Sequence, residues 1–284
     1  MPDATARCTV ESIPIAGQPC LRLRHACGDE VVVALHGAQV LSWMAAGRER
    51  LYLSPHAVLD GHSPIRGGIP VCFPQFNQRG PLPKHGFARN LAWQPADSAS
   101  PSSLTLRLHD DERSRQWWPQ AFEAQLSVDL APGSLRVGLQ VHNPSAQAWA
   151  FTSLLHTYLR VEDIAQATID GLNGMARWDA VTDAHSTQQG AVAIAGEYDS
   201  VFTAPAHALE LCEAGQPRMR IRQSPSLAST VVWNPGAALC TRLADMPADG
   251  YRHMLCIEAG QIDSPVTLAP GQHWAGWQEL WLPS

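Results

Sequence analysis

The feature that most constrains the fold is an alternation of apolar and polar residues in many short runs. Leu21-Arg-Leu-Arg24 and Leu104-Thr-Leu-Arg-Leu108 have the period of two that is typical of a strand with one buried face. Glycine and proline, 21 and 22 of the 284 residues, punctuate the chain and leave little room for long helices. Because no strand–helix–strand rhythm appears, the pattern predicts an all-β sandwich or barrel of antiparallel strands.

Two hairpins are predicted. Leu126–Leu130 and Leu135–Val141 alternate on either side of Ala-Pro-Gly-Ser, a connection with the residue types that turns favour. Leu209–Leu211 and Met219–Arg222 flank Gly215-Gln-Pro217 in the same way.

Helical signals are scarce, and the best of them is the short stretch Asp111–Ala121. Asp97–Ser103 is polar and resembles a linker, but its length favours a loop between strands over a domain boundary. No internal repeat is found. Residues 1–284 are therefore expected to form a single domain.

Composition excludes several classes of partner. The formal net charge is −6 with an isoelectric point near 6.0, and no dense basic stretch occurs, so nucleic acid is not an expected partner. No signal peptide and no apolar run of about 18 residues are found, so no membrane span is expected. The seven cysteines lack Cys-x-x-Cys spacing, which predicts a reducing, cytoplasmic location without disulfides.

Residues 61–93 depart from the alternating background and concentrate cationic side chains. Arg66 precedes Gly67-Gly68, a doublet expected to let backbone approach a ligand, while the sole lysine, Lys84, adjoins His85 and lies close to Arg89. Arg66, Lys84 and Arg89 together suit an anionic group, because Arg offers a bidentate fork and Lys a point charge. The alternative is a surface loop whose charges are merely solvated.

A candidate acid and base lie in two apolar runs. His156 lies within Phe151–Arg160, and Glu258 follows Met254-Leu-Cys-Ile257. A histidine in such a run is often only structural, whereas a buried glutamate needs a partner or a ligand. Spacing alone does not bring the two together. Twelve histidines also invite a metal hypothesis, but no His-x-His or HExxH spacing occurs, so no metal is expected.

Several strings resemble the hexose-6-phosphate mutarotases, which are glucose-6-phosphate 1-epimerases of the aldose 1-epimerase superfamily. They occur in the same order across most of the chain: His36–Trp43, Pro64–Pro70, Cys72–Phe76, Leu82–Asn90, Val232–Pro235 and Met254–Gly260.

The resemblance implies a galactose-mutarotase-like β-supersandwich with few short helices and a site on the concave face of one sheet. It also implies interconversion of the α and β anomers of hexose 6-phosphates, glucose 6-phosphate above all, without a cofactor. His156 and Glu258 match the family's catalytic residues. The substrate-binding positions that it matches are Arg66, His85, Arg89 and Asp199, with Lys84 at a position that is often glutamine.

Glu258, ionised, is expected to take the O1 proton while a protonated His156 donates to O5; Glu258 is expected to favour the charged imidazole. The protein is expected to be a monomer whose partner is a small sugar phosphate. Two alternatives remain open: a mutarotase of neutral aldoses such as galactose, and a non-catalytic sugar-binding or regulatory protein on the same fold.

Overall fold

The computed structural model describes residues 8–283. Its strands, in chain order, are β1 Thr9–Ile15, β2 Gln18–Arg24, β3 Glu30–Ala34, β4 Val40–Ala45, β5 Arg48–Glu49, β6 Val71–Cys72, β7 Gln94–Ala96, β8 Ser103–His109, β9 Glu123–Ala131, β10 Ser134–His142, β11 Trp149–Leu155, β12 Tyr158–Arg160, β13 Ala167–Asp170, β14 Ala176–Asp179, β15 Ala184–Thr187, β16 Val192–Ala193, β17 Tyr198–Thr203, β18 Leu209–Glu213, β19 Gln216–Gln223, β20 Ser229–Asn234, β21 Met254–Leu268 and β22 His273–Trp281. The helices are α1 Glu112–Trp117 and α2 Gly236–Cys240, with 3₁₀ turns at Ala88–Asn90, Ile164–Gln166 and Gly250–His253.

The strands form three sheets in which the paired strands run antiparallel. The first is the five-stranded meander β1 to β5. The second has nine strands in the order β16-β13-β18-β19-β22-β10-β9-β8-β7. The third has eight: β15-β14-β17-β20-β21-β11-β6, with β12 also paired to β21. The predicted all-β fold with few short helices is confirmed.

The alternating runs form the predicted strands and hairpins. Leu21–Arg24 lies in β2 and Leu104–Leu108 in β8. In the first hairpin, β9 and β10 continue further than predicted, and Ala131 pairs with Ser134, so only Pro132-Gly133 remains as the turn. In the second, Glu213 pairs with Gln216, which leaves Ala214-Gly215, both at positive φ, as the connection.

The predicted helix is present but shorter. Asp111 caps α1: its side chain accepts a hydrogen bond from the Ser114 amide, while the Ser114 hydroxyl accepts one from the Asp111 amide. The helix ends at Trp117, not near Ala121. Pro119 is the reason, because a residue that precedes proline disfavours helical angles, and Trp118 is extended.

On β21, Glu258 points away from the main core, towards the opposite face of the eight-stranded sheet. Leu255 and Ile257 of β21 belong to the large cluster that joins the three sheets. Because side chains alternate along a strand, Cys256 and Glu258 point to the other face. Both are nonetheless buried, at 0% and 1% exposure. Another layer therefore covers that face.

The glycine doublet has a structural cause other than the predicted approach to a ligand. Gly67 and Gly68 have φ angles of 112° and 63°, where glycine is favoured. A Cβ at Gly67 would collide with the carbonyl oxygen of Tyr52, and one at Gly68 with that of Val40. The doublet thus packs backbone against backbone and fixes the segment that carries Arg66.

Between residues 8 and 283, the chain forms no helix with the length and apolar character needed to cross a bilayer.

Candidate functional site

A cavity of about 400 Å³ opens above the eight-stranded sheet. Strands β17, β20 and β21 and the junction between β11 and β12 form one side, and the segments around Arg66 and His85 form another. All seven sequence-predicted site residues line it, and the structure therefore brings them together: Arg66, Lys84, His85, Arg89, His156, Asp199 and Glu258.

His156 and Glu258 meet because of the strand pairing. Leu155, the last residue of β11, pairs with Ala259, and Tyr158, the first of β12, pairs with Cys256. His156 lies in the break between β11 and β12, where its amide donates to the Pro70 carbonyl at 2.9 Å. The result places His156 Nδ1 3.3 Å from Glu258 Oε1.

Both side chains of this pair are buried and incompletely hydrogen-bonded. His156 Nδ1 and Glu258 Oε2 lack a hydrogen-bond partner within the described protein. Burial lowers the pKa of His156 well below its ordinary value, and His85 and Arg89 lower it further. Burial raises the pKa of Glu258 well above its ordinary value, and Asp199 adds to the rise. The protein environment therefore favours the uncharged pair, contrary to the expectation that Glu258 keeps His156 charged.

Two aromatic side chains hold the His156 ring. Tyr158 lies nearly parallel to it, with the ring centroids 4.8 Å apart and 11° between the planes. Trp233, on β20, contacts the imidazole edge-on at 6.1 Å between centroids. The position of the imidazole is thus fixed by packing on two sides.

His85 is held as a neutral hydrogen-bond donor. Its Nδ1 lies 3.3 Å from Cys72 Sγ and accepts from the Asn77 amide at 3.4 Å. Burial raises the pKa of Cys72 to about 12, so the thiol stays protonated and donates to the same nitrogen. The ring proton then lies on Nε2. Burial, aided by Arg89 and Lys84, lowers the pKa of His85 to about 3, which keeps the ring uncharged.

Arg66 is fixed by two partners. Its Nε lies 3.1 Å from Asp245 Oδ2, and its Nη1 donates to the Tyr158 hydroxyl at 3.1 Å. Burial opposes the charge, but Tyr158 and Asp245 outweigh it and raise the pKa of Arg66. The guanidinium is therefore a permanent cation, and Asp245 already offsets part of its charge.

Lys84 and Arg89 lie together on the other side of His85. Arg89 Nη2 donates to the Lys84 carbonyl at 2.9 Å, while Arg89 Nε is buried and has no partner within residues 8–283. Lys84 is exposed. Because Arg89, Lys84 and Arg66 all depress the pKa of His85, the three cations act on one region of the cavity.

Asp199 supplies a carboxylate on the opposite wall. It lies on β17, opposite Trp233 of β20. Burial raises its pKa to about 6, with Lys84 acting in the opposite direction. Asp199 is therefore mostly ionised at neutral pH and accepts hydrogen bonds.

Cys256 lies close to His156 and Glu258, a contact that the sequence did not predict. Within the described part of the chain, His156, Cys256 and Glu258 form a group of potential metal ligands whose ligand atoms all lie within 4.8 Å of one another. The alternation along β21 could have indicated this, since Cys256 and Glu258 are two residues apart. Tyr158, Trp233 and Asp245 were also missed; only the tertiary fold brings them to the site.

The family of the chain is shown by comparison of its sequence with known proteins. Residues 19–281 match the model of the family described as aldose 1-epimerase. A protein from Cenchrus ciliaris, provisionally named a glucose-6-phosphate 1-epimerase, is 33% identical over 267 residues, which are 89% of this chain and 80% of the relative. One from Escherichia coli K12 with the same provisional name is 35% identical over 234 residues, covering 79% and 77%.

A solved structure has the same architecture. The crystal structure of a provisionally assigned mutarotase, YeaD, from Salmonella typhimurium superposes with a TM-score of 0.84 at 27% identity, covering 96% of each chain. The expected galactose-mutarotase-like fold is thereby confirmed. Fold and sequence agree: the chain is an isomerase that belongs to the aldose 1-epimerase family.

Proposed function

We propose that the protein interconverts the α and β anomers of hexose 6-phosphates, with glucose 6-phosphate as the main substrate. His156 and Glu258 carry the proton transfers. Arg66, Lys84 and Arg89 bind the phosphate, and His85 and Asp199 hold sugar hydroxyls.

The observation that carries the proposal is the buried pair within a polar cavity. His156 Nδ1 and Glu258 Oε1 are 3.3 Å apart, and both residues line the cavity. His156 Nδ1 and the other carboxylate oxygen, Oε2, have no hydrogen-bond partner among the described residues. A protein that only binds sugar has no need of a buried acid and base in contact. The relatives provisionally named glucose-6-phosphate 1-epimerases support the same reaction.

The reaction needs one proton removed and one delivered. A base takes the proton of the C1 hydroxyl as an acid protonates the ring oxygen O5; the C1–O5 bond breaks and C1 becomes an aldehyde carbon. Rotation about C1–C2 presents the other face of the aldehyde. Closure then reforms C1–O5 and reverses both transfers. Each positioned transfer contributes typically 10²–10⁴-fold.

The pair holds one proton throughout this cycle. In the opening step, Glu258 as base gains the proton that O1 loses, while His156 as acid gives its own to O5. The charged arrangement that this requires differs from the uncharged one, which burial favours, by the position of one proton, which lies on His156 instead of Glu258. The hydroxyl groups of bound sugar supply polar partners for the charged arrangement.

The cationic side chains of the cavity are the basis for the proposed preference for a phosphorylated substrate. Charge-assisted hydrogen bonds contribute roughly 1.5–3 kcal/mol each, so two of them favour a phosphorylated substrate by about 10²-fold or more. Arg89 carries the strongest case, because its guanidinium has no carboxylate partner among the described residues, whereas Asp245 already pairs with Arg66.

Anomer-resolved exchange by NMR tests the acid–base assignment. Glu258→Gln keeps the shape of its side chain, and His156→Asn leaves a smaller, uncharged polar group. Each should lower the catalysed exchange rate by about 10²–10⁴-fold. His185→Asn and Glu112→Gln, at exposed positions outside the cavity, are matched controls that should retain wild-type rates. Wild-type rates in both site variants, with unchanged circular dichroism, would contradict the assignment.

A second candidate function is mutarotation of neutral aldoses. Three acidic residues, Glu197, Asp199 and Asp245, line the cavity together with the cations, and Asp245 already pairs with Arg66. Their carboxylates offset the positive charge, which favours a neutral substrate over a phosphorylated one. Equal turnover of glucose and glucose 6-phosphate at low substrate concentration would support this alternative.

A further inference from the structure

We propose that the catalytic pair, together with the thiol of Cys256, forms a binding site for thiophilic divalent cations such as Zn²⁺, Co²⁺ and Cd²⁺, and that occupancy of this site inhibits the enzyme. The ligands are His156 Nδ1, Cys256 Sγ and one oxygen of Glu258. The inhibition rests on the proposed catalytic role of His156 and Glu258, whereas the binding does not.

The geometry of the three ligands fits a tetrahedral cation. Zinc binds nitrogen and oxygen at about 2.0–2.2 Å and sulfur at about 2.3 Å, so tetrahedral ligands lie about 3.4 Å apart. His156 Nδ1 and Glu258 Oε1 are already 3.3 Å apart, and all three ligand atoms lie within 4.8 Å of one another. The most distant pair of ligand atoms therefore has to approach by at most about 1.4 Å to reach tetrahedral spacing.

The ligands are also available. Cys256 is a free cysteine, and neither His156 Nδ1 nor Glu258 Oε2 has a hydrogen-bond partner in the described protein. His156 and Glu258 line the cavity, so an ion approaches the site from that side, whereas Cys256 is fully buried two residues before Glu258 on β21. The set of His, Cys and carboxylate suits Zn²⁺ and related ions better than Mg²⁺ or Ca²⁺.

Charge balance lowers the cost of burying an ion here, although burial raises the pKa of Cys256 well above its ordinary value, so the cation has to displace the proton of that thiol. A divalent cation bound to one thiolate, one carboxylate and one neutral imidazole forms an uncharged complex, apart from its fourth ligand. Binding releases two protons: one from the Cys256 thiol and the one that His156 and Glu258 hold between them. No net charge is thus introduced beside Arg66 and Arg89.

The site has a direct consequence for catalysis. A cation that occupies Nδ1 of His156 and an oxygen of Glu258 prevents both from exchanging protons with O1 and O5. Inhibition by Zn²⁺ should therefore be reversed by chelation. Cys256 does not act in the proton transfers, which makes it the residue at which metal binding and catalysis can be separated.

Spectroscopic titration with Co²⁺ tests the binding without relying on activity. The full chain, freed of metal by a chelator, should bind one Co²⁺ with a sulfur-to-cobalt charge-transfer band in the near ultraviolet and visible bands of tetrahedral intensity. Cys256→Ser should lose the charge-transfer band, whereas Cys27→Ser, which removes an exposed thiol, should keep it. Absence of the band in the wild type, or its persistence in Cys256→Ser, would overturn the proposal.

Inhibition by Zn²⁺ gives the second readout. The Zn²⁺ concentration that halves anomer exchange should rise about 100-fold or more in Cys256→Ser, with each variant normalised to its own metal-free rate. An unchanged concentration contradicts the inhibitory site. If Cys256→Ser does not fold, His156→Asn and Glu258→Gln replace it in the Co²⁺ titration: each should keep the charge-transfer band but weaken binding at least 10-fold, and unchanged affinity in both overturns the proposal.

The two proposals fail separately. A wild-type protein that shows the cobalt band but exchanges no anomers retains the metal site and refutes the proposed function. A protein that exchanges anomers and shows no such band refutes only the metal site.

Discussion

The phenol ring of Tyr158 stacks on the imidazole ring of His156, and its hydroxyl accepts a hydrogen bond from Arg66. One side chain therefore connects the acid–base pair to a cation of the proposed phosphate site. Asp245 holds the other edge of that guanidinium. Through these contacts, the position of Arg66 depends on the same ring that fixes His156.

Tyr158→Phe separates the two roles of this residue. The phenylalanine ring keeps its stacking on His156, so turnover of neutral hexose should stay within about 2-fold of wild type. Arg66 loses one of its two anchors, and KM for glucose 6-phosphate should rise several-fold. Tyr158→Ala removes the stacking as well and should lower kcat on every sugar. Steady-state kinetics on both substrates checks this; a fall in kcat on neutral sugar in Tyr158→Phe would show that the hydroxyl acts in the chemistry.

Arg89→Ala should abolish most of the preference for phosphorylated substrate. The variant removes a guanidinium that lines the cavity and has no carboxylate partner among the described residues. The ratio of kcat/KM for glucose 6-phosphate to that for glucose should therefore fall by about 10-fold or more. Arg66→Ala should have a similar effect. Arg107→Ala, on the nine-stranded sheet away from the cavity, is the matched control. An unchanged ratio in both site variants would mean that the two arginines are only solvated surface charges of the loop and do not bind the phosphate.

The pKa of Asp199 predicts a specific effect of pH on stability. Its pKa of about 6 in the folded protein exceeds the ordinary value of 3.8, so the folded state binds the proton more tightly than the unfolded state does. The contribution of Asp199 to stability is therefore greatest below about pH 4 and is lost as the pH rises to about 6. Asp199→Asn removes this loss and should raise Tm at pH 7.5 by about 1–3 °C while leaving Tm at pH 4 almost unchanged. A lower Tm at pH 7.5 in Asp199→Asn would show that the carboxylate stabilises the fold.

Gly68→Ala should destabilise the protein strongly. The added Cβ would collide with the carbonyl oxygen of Val40 at a φ of 63°, and the expected loss in free energy of unfolding is about 3 kcal/mol or more. Gly174 has a similar φ of 80° but open space around its Cβ position, so Gly174→Ala should cost only about 1 kcal/mol. Chemical denaturation compares the two; equal losses would show that the conformation alone, without the backbone contact, sets the cost.

Local sequence patterns predicted the strands better than the site. The alternation in Leu104–Leu108 and Leu126–Val141 fixes which side chains are buried, and Pro119 sets the limit of the helix. The contact of His156 with Glu258 depends on the register of β11 against β21, which no local pattern encodes. The pairing of Arg66 with Asp245, 179 positions apart, was missed for the same reason.

Catalysed anomer exchange in wild-type protein, measured on glucose and glucose 6-phosphate at equal low concentration, tests the central claim most directly. The spontaneous exchange of each sugar is measured without protein and subtracted. The account predicts a catalysed rate at least about 10²-fold higher for glucose 6-phosphate than for glucose. Equal catalysed rates would contradict the phosphate site, and the absence of catalysed exchange on both sugars would contradict the assigned function.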